Sequence, residues 1–351
     1  MHADVVINGR VLMYPINGIP RYAYEIINRL DEHADTSLSI DLVIPENAKK
    51  EFHFKHIRVV QLPQGFAWDY FKAEMYARKC QAIYVNLAGK GVLYRKSLIV
   101  VHDIRILRLG DGKRSWRTIL TKMKFWISYQ LAVSYAGKLI ADSEFTRHEM
   151  SIYSGIECSK IDVIGAGWEH IYRMEKDNSI FEEFPLIQKK EYYLAVSSIA
   201  PHKNFKWIVE NARHNPSCQY VIMGKTDISL WQDKTEDFTG NIIYVGYQED
   251  ERMKALLLES KGLIFPSLYE GFGIPPLEAL ACGIPVIVSD IPVLREIYGD
   301  SVHYMNTKNS DINLDIIISE VVENPRMVLR KYTWNHAAQQ WLTIIQKSTW
   351  R

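Results

Sequence analysis

Two glutamates, Glu270 and Glu278, stand with seven residues between them, and Gly271, Phe272, Gly273, Pro275 and Pro276 fill most of the gap. Carboxylates at that spacing can hold the hydroxyls of a polyol, while glycines let backbone N–H groups approach its anionic or hydroxyl oxygens. Prolines suit a loop and the first turn of a helix, where a missing N–H costs little. Each of these residues taken singly also fits an ordinary turn or a helix-start cap. Lys203 opens another predicted helix, and a cation there opposes the macrodipole unless an anion sits beside it, so Lys203 reads as a diphosphate ligand. His102 and Asp103 end a strand. A histidine in that place can donate a hydrogen bond or pass a proton near neutral pH, or it can be purely structural.

The stretch 263–290 that carries both glutamates reads as an apolar run, a Gly/Pro-rich turn, a short amphipathic segment and a second apolar run. That is strand, loop, helix, strand, with the working loop at the carboxyl end of the first strand, where ligands sit in open α/β sheets. The same grammar repeats along the chain. Residues 4–8 form a first strand, and an irregular Asn17-Gly18-Ile19 segment precedes a helix whose face carries Tyr22, Ile26, Ile27 and Leu30. Strand, glycine loop and helix make the plan of a phosphate-binding turn, although Gly18 also fits a surface loop that needs its backbone freedom. Further strands are expected at 38–43, 58–62, 82–86, 97–101, 138–141 and 161–164, with a helix at 68–80. Asn86 opens a loop, 86–91, where an acceptor could dock, and Ser143 or Asp142 caps the helix after the 138–141 strand. Polar residues 175–190 are the best linker candidate. Strands at 192–197, 220–223, 242–245 and 302–305 follow, and Tyr247 lies in the turn after the third of that set, either against a ligand or in packing.

Residues 110–136 form a long helical candidate in which Lys113, Arg114, Arg117, Lys122 and Lys124 alternate with Trp116, Ile119, Leu120, Met123, Phe125, Trp126 and Ile127. An interfacial helix lying on anionic lipid has this composition, and so does a core helix whose lysines reach past its edge. Basic residues outnumber acidic ones in residues 1–171, and the reverse holds for 172–351. A basic first half suits a phospholipid surface or a lipid diphosphate.

At 351 residues, with 47% apolar and 24% charged residues, the chain is long enough for two ordinary domains and has ample core for both. Cys80, Cys158, Cys218 and Cys282 are widely spaced without a CxxC pair, so neither a zinc site nor a disulfide framework is expected. No run reaches the ~18 to 20 apolar residues of a membrane span and no signal-peptide pattern opens the chain. A cytoplasmic setting, with contact at the inner face of the membrane through residues 113–127, is the expectation. No nucleic-acid partner is expected.

Glu270-Gly271-Phe272-Gly273, Pro275 to Ala279 and Gly283 to Val286 resemble the signature of the family four retaining glycosyltransferases, whose mark is two glutamates so spaced. The resemblance implies an α/β chain of GT-B architecture, two Rossmann-like domains with parallel sheets facing a central cleft. Residues 1–171 would bind the acceptor, 172–331 the nucleotide sugar, and 332–351 would return as a helix to the first domain. It implies that Glu278 holds the ribose hydroxyls, Lys203 and an amide at Gly18 the diphosphate, and Glu270 with Gly271, Phe272 and Gly273 the transferred sugar. His102 would approach that sugar, Asn86 and Asp103 the acceptor, and Tyr247 the base. Where the family typically has an arginine about five residues before the lysine, this chain has Ser198. The implied reaction moves a hexose or mannose-like sugar, with retention, to a glycan or lipid-linked saccharide in bacterial polysaccharide assembly. No cofactor and no metal ion are expected. A non-catalytic nucleotide-sugar-binding subunit and a GT-B nucleotide-sugar epimerase are the alternatives.

Overall fold

A computed structural model of the chain describes residues 2–33, 38–48, 51–65, 68–89, 93–108, 116–196, 200–224 and 240–349, with backbone alone at 69, 70, 117, 118 and 349. Ser198, Lys113, Arg114 and the end of the 86–91 loop therefore lie outside the described residues, as does the side chain of Arg117. The chain forms two compact units, Met1–Ala166 with Tyr332–Arg351, and Gly167–Lys331.

The first unit is built on seven strands: β1 (Val5–Asn8), β2 (Ile40–Pro45), β3 (Ile57–Leu62), β4 (Ile83–Asn86), β5 (Ser97–Val101), β6 (Lys138–Ala141) and β7 (Ile161–Val163). All pair in parallel in the order β3-β2-β1-β4-β5-β6-β7. β1 and β5 are buried along their whole length, because helices cover both faces of a parallel sheet and leave no side for polar residues. The order reverses at β1, whose neighbours are β2 and β4, so the crevice at the carboxyl edge opens there.

The second unit repeats the design with six parallel strands: β8 (Tyr192–Val196), β9 (Gln219–Met223), β10 (Ile242–Gly246), β11 (Gly262–Phe265), β12 (Val286–Ser289) and β13 (His303–Met305). Their order is β10-β9-β8-β11-β12-β13, and the reversal falls between β8 and β11. Tyr193, Ala195, Ile264 and Ile287 form its core with Trp207 and Ile208 of the helix Phe205–His214.

Two features differ from the sequence-based expectation. Residues 175–190 are not a free linker: they contain the helix Ser179–Glu183 with Ile180 fully buried, and Arg252 ties the stretch down through Asp177 at 3.1 Å and Glu183 at 2.7 Å. The second unit also starts at Gly167, before residue 172, because the short helix Glu169–Arg173 is bonded into it through His170.

The last helix, Trp334–Thr349, packs on the helix Gly18–His33 within the first unit. Trp334, Ala338, Trp341 and Ile345 are buried, and Trp334 stands edge-on to the Tyr22 ring at 5.8 Å. Trp341 Nε1 donates to the Tyr22 hydroxyl at 3.1 Å, and that hydroxyl donates to the Ile164 carbonyl at 3.2 Å. Burial pushes the Tyr22 pKa well up, so the phenol keeps the proton it gives. Trp341→Ala should empty this site and cost about 3–5 kcal/mol. Urea unfolding reads the loss, and a change under about 1 kcal/mol would show that the helix is not held by this packing.

Candidate active site

The loop 266–273 after β11 owes its shape to residues on three sides. Ser289, at the end of β12, donates to the Phe265 carbonyl at 3.2 Å and also to the Ser267 carbonyl. The Leu268 amide donates to the His202 carbonyl at 2.7 Å, which fastens the loop to the turn Pro201–Lys203 after β8. Gly273 stands at φ 92° as the cap of the helix Ile274–Ala281, and a Cβ there would come within 3.0 Å of the Leu294 side chain. Both its backbone angle and its neighbours therefore call for glycine. Pro275 follows in the first turn, where no carbonyl awaits its missing N–H.

This scaffold brings Lys203 and Glu270 together at the point where the strand order of the second sheet reverses. Lys203 Nζ lies 2.6 Å from Glu270 Oε1 and over the Phe265 ring, 5.4 Å from its centre. The anion that a cation at a helix start requires is thus supplied by the chain itself. A lysine ammonium has three donors and a carboxylate two oxygens, so among the described residues the pair has two N–H groups and Glu270 Oε2 beyond this contact. An assembly that both gives and accepts hydrogen bonds at one crevice suits a ligand carrying a phosphate beside hydroxyls.

Glu278, one turn into the helix, is buried and takes a 2.7 Å hydrogen bond from His170 Nε2 on the helix Glu169–Arg173. Phe272 is buried as a whole residue. Tyr247 is 41% exposed in the turn after β10, so its ring is not core packing.

In the first unit, Gly18 begins the helix Gly18–His33, and a Cβ added there would meet nothing within 4 Å. Its φ is not left-handed, so neither backbone angle nor packing demands glycine, and the open space is what close approach of a ligand requires. His102 is buried at the end of β5. Its Nε2–H donates to the Leu87 carbonyl at 2.8 Å, since a carbonyl only accepts, and its Nδ1 faces Asp142 Oδ2 at 2.7 Å. The Tyr22 ring stands edge-on to it at 5.2 Å. Asn86 and Asp103 shape turns: Asn86 Oδ1 accepts from the Ala88 amide at 3.0 Å and Asp103 Oδ1 from the Arg105 amide at 2.9 Å. The cap of the helix Glu144–Ser154 is Ser143, which frees Asp142 for the histidine.

Burial opposes charge on His102, but the Asp142 carboxylate and the Leu87 carbonyl outweigh it, and the imidazole holds its proton above its ordinary value. Burial also pushes Asp142 up, with His102 working against it.

Sequence reasoning missed Asp142 and His170. The parallel register that sets Val101 beside Ala141 puts the next residues, His102 and Asp142, side by side, so the aspartate at a neighbouring strand end was a usable signal. Nothing local announces His170, whose partner lies 108 residues away.

A family model described as glycosyl transferases group 1 matches residues 176–339. The O-antigen chain mannosyltransferase B of Escherichia coli is 34% identical over 83% of this chain and 83% of its own length. The O-antigen chain mannosyltransferase RfbU of Salmonella typhimurium is 31% identical over 61% of this chain, and the match spans 58% of that relative. Among solved structures, a sucrose-phosphate synthase from Thermosynechococcus elongatus superposes with a TM-score of 0.72 over 99% of both chains at 14% identity, a likeness of fold. The fold is therefore that of the GT-B class, with two Rossmann-like domains. The chain belongs to the group 1 glycosyltransferases.

Because the His102 pKa is raised, the folded state binds that proton more tightly than the unfolded chain does. The stabilisation is complete below the unfolded value and is lost as pH climbs through the folded one. NMR titration of the His102 ring should give a midpoint above 6.5, and Asp142→Asn should lower it. A midpoint that Asp142→Asn leaves in place would contradict the pairing.

Proposed function

We propose that the protein is a retaining hexosyltransferase that moves a mannose-like sugar from a nucleotide diphosphate to a glycan or lipid-linked saccharide in bacterial polysaccharide assembly. The observation that carries the reading is the Lys203–Glu270 pair at the carboxyl edge of the second sheet, with Glu278 one turn into the helix that follows the loop of Glu270. That the Escherichia coli and Salmonella typhimurium relatives named above are O-antigen chain mannosyltransferases favours mannose and O-antigen-like glycans.

In this reading Glu278 accepts the ribose hydroxyls, and Tyr247 lies beside the base. Lys203 and the amides of Gly271, Phe272 and Gly273 hold the diphosphate and sugar, and Glu270 accepts a sugar hydroxyl through the oxygen that Lys203 leaves open. Ser198 takes its place among the donor-binding residues as a hydroxyl, where the family resemblance implies an arginine. In the first unit, Gly18 offers an amide to phosphate, and Asn86 and Asp103 serve the acceptor. For His102 to reach a sugar hydroxyl, its Nε2–H exchanges the Leu87 carbonyl for that oxygen. The acceptor oxygen bonds to the anomeric carbon as the bond to the diphosphate breaks, and a phosphate oxygen takes the acceptor proton on the same face. The gain in rate comes from positioning and from charge placed to meet the leaving diphosphate. No metal ion or cofactor enters this scheme. A subunit that only binds nucleotide sugars would bind donor without transferring it, so detection of glycosidic product separates the two.

Removing the Glu278 carboxylate takes away the acceptor for the ribose hydroxyls. Glu278→Ala should weaken binding of the best ligand among UDP, GDP and ADP by about tenfold or more, the worth of one hydrogen bond to a charged group. Calorimetry reads the change, with circular dichroism as the check on folding. Equal affinity in a folded variant would reject the role.

A second reading, peripheral membrane contact, is favoured by the helix Trp116–Tyr135. Trp116, Ile119, Leu120, Met123, Trp126 and Ile127 recur at spacings of three and four and are all exposed, a single apolar stripe. Tyr129 and Ala132 on the far side enter the core of the first unit. At about 100° per residue, Lys122 and Lys124 fall on opposite borders of the stripe. An apolar strip between two cationic edges is complementary to an anionic lipid surface, at about 1 kcal/mol per charge. The parent protein should sediment with phosphatidylserine vesicles, and Lys122→Gln with Lys124→Gln should weaken it. Absence of vesicle binding in the parent would end this reading.

A further inference from the structure

The structure places a buried histidine against the carboxylate that the proposed function assigns to ribose. His170 and Glu278 are each 5% exposed, and no group beyond His170 is bonded to the Glu278 carboxylate among the described residues. An ionised carboxylate only accepts, so His170 Nε2 carries the proton in the 2.7 Å contact with Oε1. Oε2 makes no hydrogen bond among the described residues, and the Glu278 side chain keeps 7% of its surface exposed. One oxygen is anchored and the other left to receive a ligand.

The anchor is itself held at both ends. Trp168 Nε1, just before the helix Glu169–Arg173, donates to the Leu329 carbonyl at 2.9 Å. Lys254 Nζ donates to the Tyr172 carbonyl at 3.1 Å and to the Met174 carbonyl at 2.7 Å, pinning the far end. A single helical turn has little stability of its own, and these contacts keep it against the helix Ile274–Ala281. The terminal torsion of a glutamate is broad and roughly two-fold, so an unanchored carboxylate samples many planes. Hydroxyls on adjacent ribose carbons need one plane.

We propose that His170 is a positioning residue that fixes the plane of the Glu278 carboxylate for the 2′- and 3′-hydroxyls of the donor nucleotide. The proposal rests on the ribose role of Glu278. It differs from a purely structural role for His170 in what it says about ligands: His170 governs the contrast between nucleotides with and without ribose hydroxyls, whereas a structural role affects both alike.

The test compares the best-binding diphosphate among UDP, GDP and ADP with its 2′,3′-dideoxy analogue by calorimetry. The parent should prefer the hydroxylated form by about tenfold or more. In His170→Ala that preference should fall to about twofold or less. His170→Gln, whose amide nitrogen can occupy the place of Nε2, should restore it, and His170→Asn, too short to reach, should not. If the alanine variant fails to fold, the Gln and Asn variants decide between themselves. An unchanged preference in His170→Ala or His170→Asn would overturn the positioning role while leaving the ribose role of Glu278 standing. A parent that binds both nucleotides equally would overturn the ribose role, and the proposal with it.

Discussion

Every strand in both sheets runs parallel to its neighbours, and the rest of the structure depends on that constraint. A parallel strand is reached only by a crossover, usually helical, so the loops that leave strand carboxyl ends all gather on one edge of their sheet. Where the strand order reverses, crossovers on the two sides pass over opposite faces, and the edge is left uncovered between them. In the second unit that place lies between β8 and β11. The turn after β8 carries Lys203 and the loop after β11 carries Glu270, so residues far apart in sequence come within 2.6 Å. The first unit gathers Gly18, Asn86 and His102 by the same logic after β1, β4 and β5.

Much of this was legible because its causes are local. Short apolar runs of four to six residues, fenced by glycine, proline and polar turns, can fold as buried parallel strands, and β5 and β6 lie where that pattern puts them. The loop 266–273 could be read because Gly273 and Pro275 are answers to backbone geometry, and backbone geometry leaves its mark in residue type. Lys203 stood out for a similar reason, a cation where the helix dipole disfavours one. That argument correctly demanded an anion, but it could not distinguish a ligand from Glu270, because a macrodipole argument concerns one helix end and not the groups that fold against it.

The features that escaped were partnerships between side chains that no periodicity links. His170 sits in a stretch with no strong pattern, and only the packing of the helix Glu169–Arg173 on the helix Ile274–Ala281 reveals its partner. The same contact draws the chain from Gly167 onward into the second unit. Residues 175–190 looked like a linker because they are polar, yet one buried Ile180 and one arginine bridging two acids suffice to fix them. Composition averages over such single residues. Asp142 was hidden by a plausible rival use, since an aspartate before a helix is a good cap, and Ser143 proved to have that task.

The central claim is that this chain transfers a sugar from a nucleotide diphosphate and does so on one face of the sugar. An inverting reaction needs a base within about 3 Å of the acceptor hydroxyl, or one water away, on the face opposite the leaving group. In the proposed reading Glu270, held by Lys203 through Oε1, gives Oε2 to a sugar hydroxyl, Asp103 Oδ1 takes the Arg105 amide, and His102 turns its Nε2–H to the sugar, so the leaving phosphate receives the acceptor proton. Proton NMR of the first product formed from an α-linked nucleotide sugar, recorded before any slow anomerisation, is the most direct measurement. The account predicts an α-glycoside. A β-glycoside would contradict it.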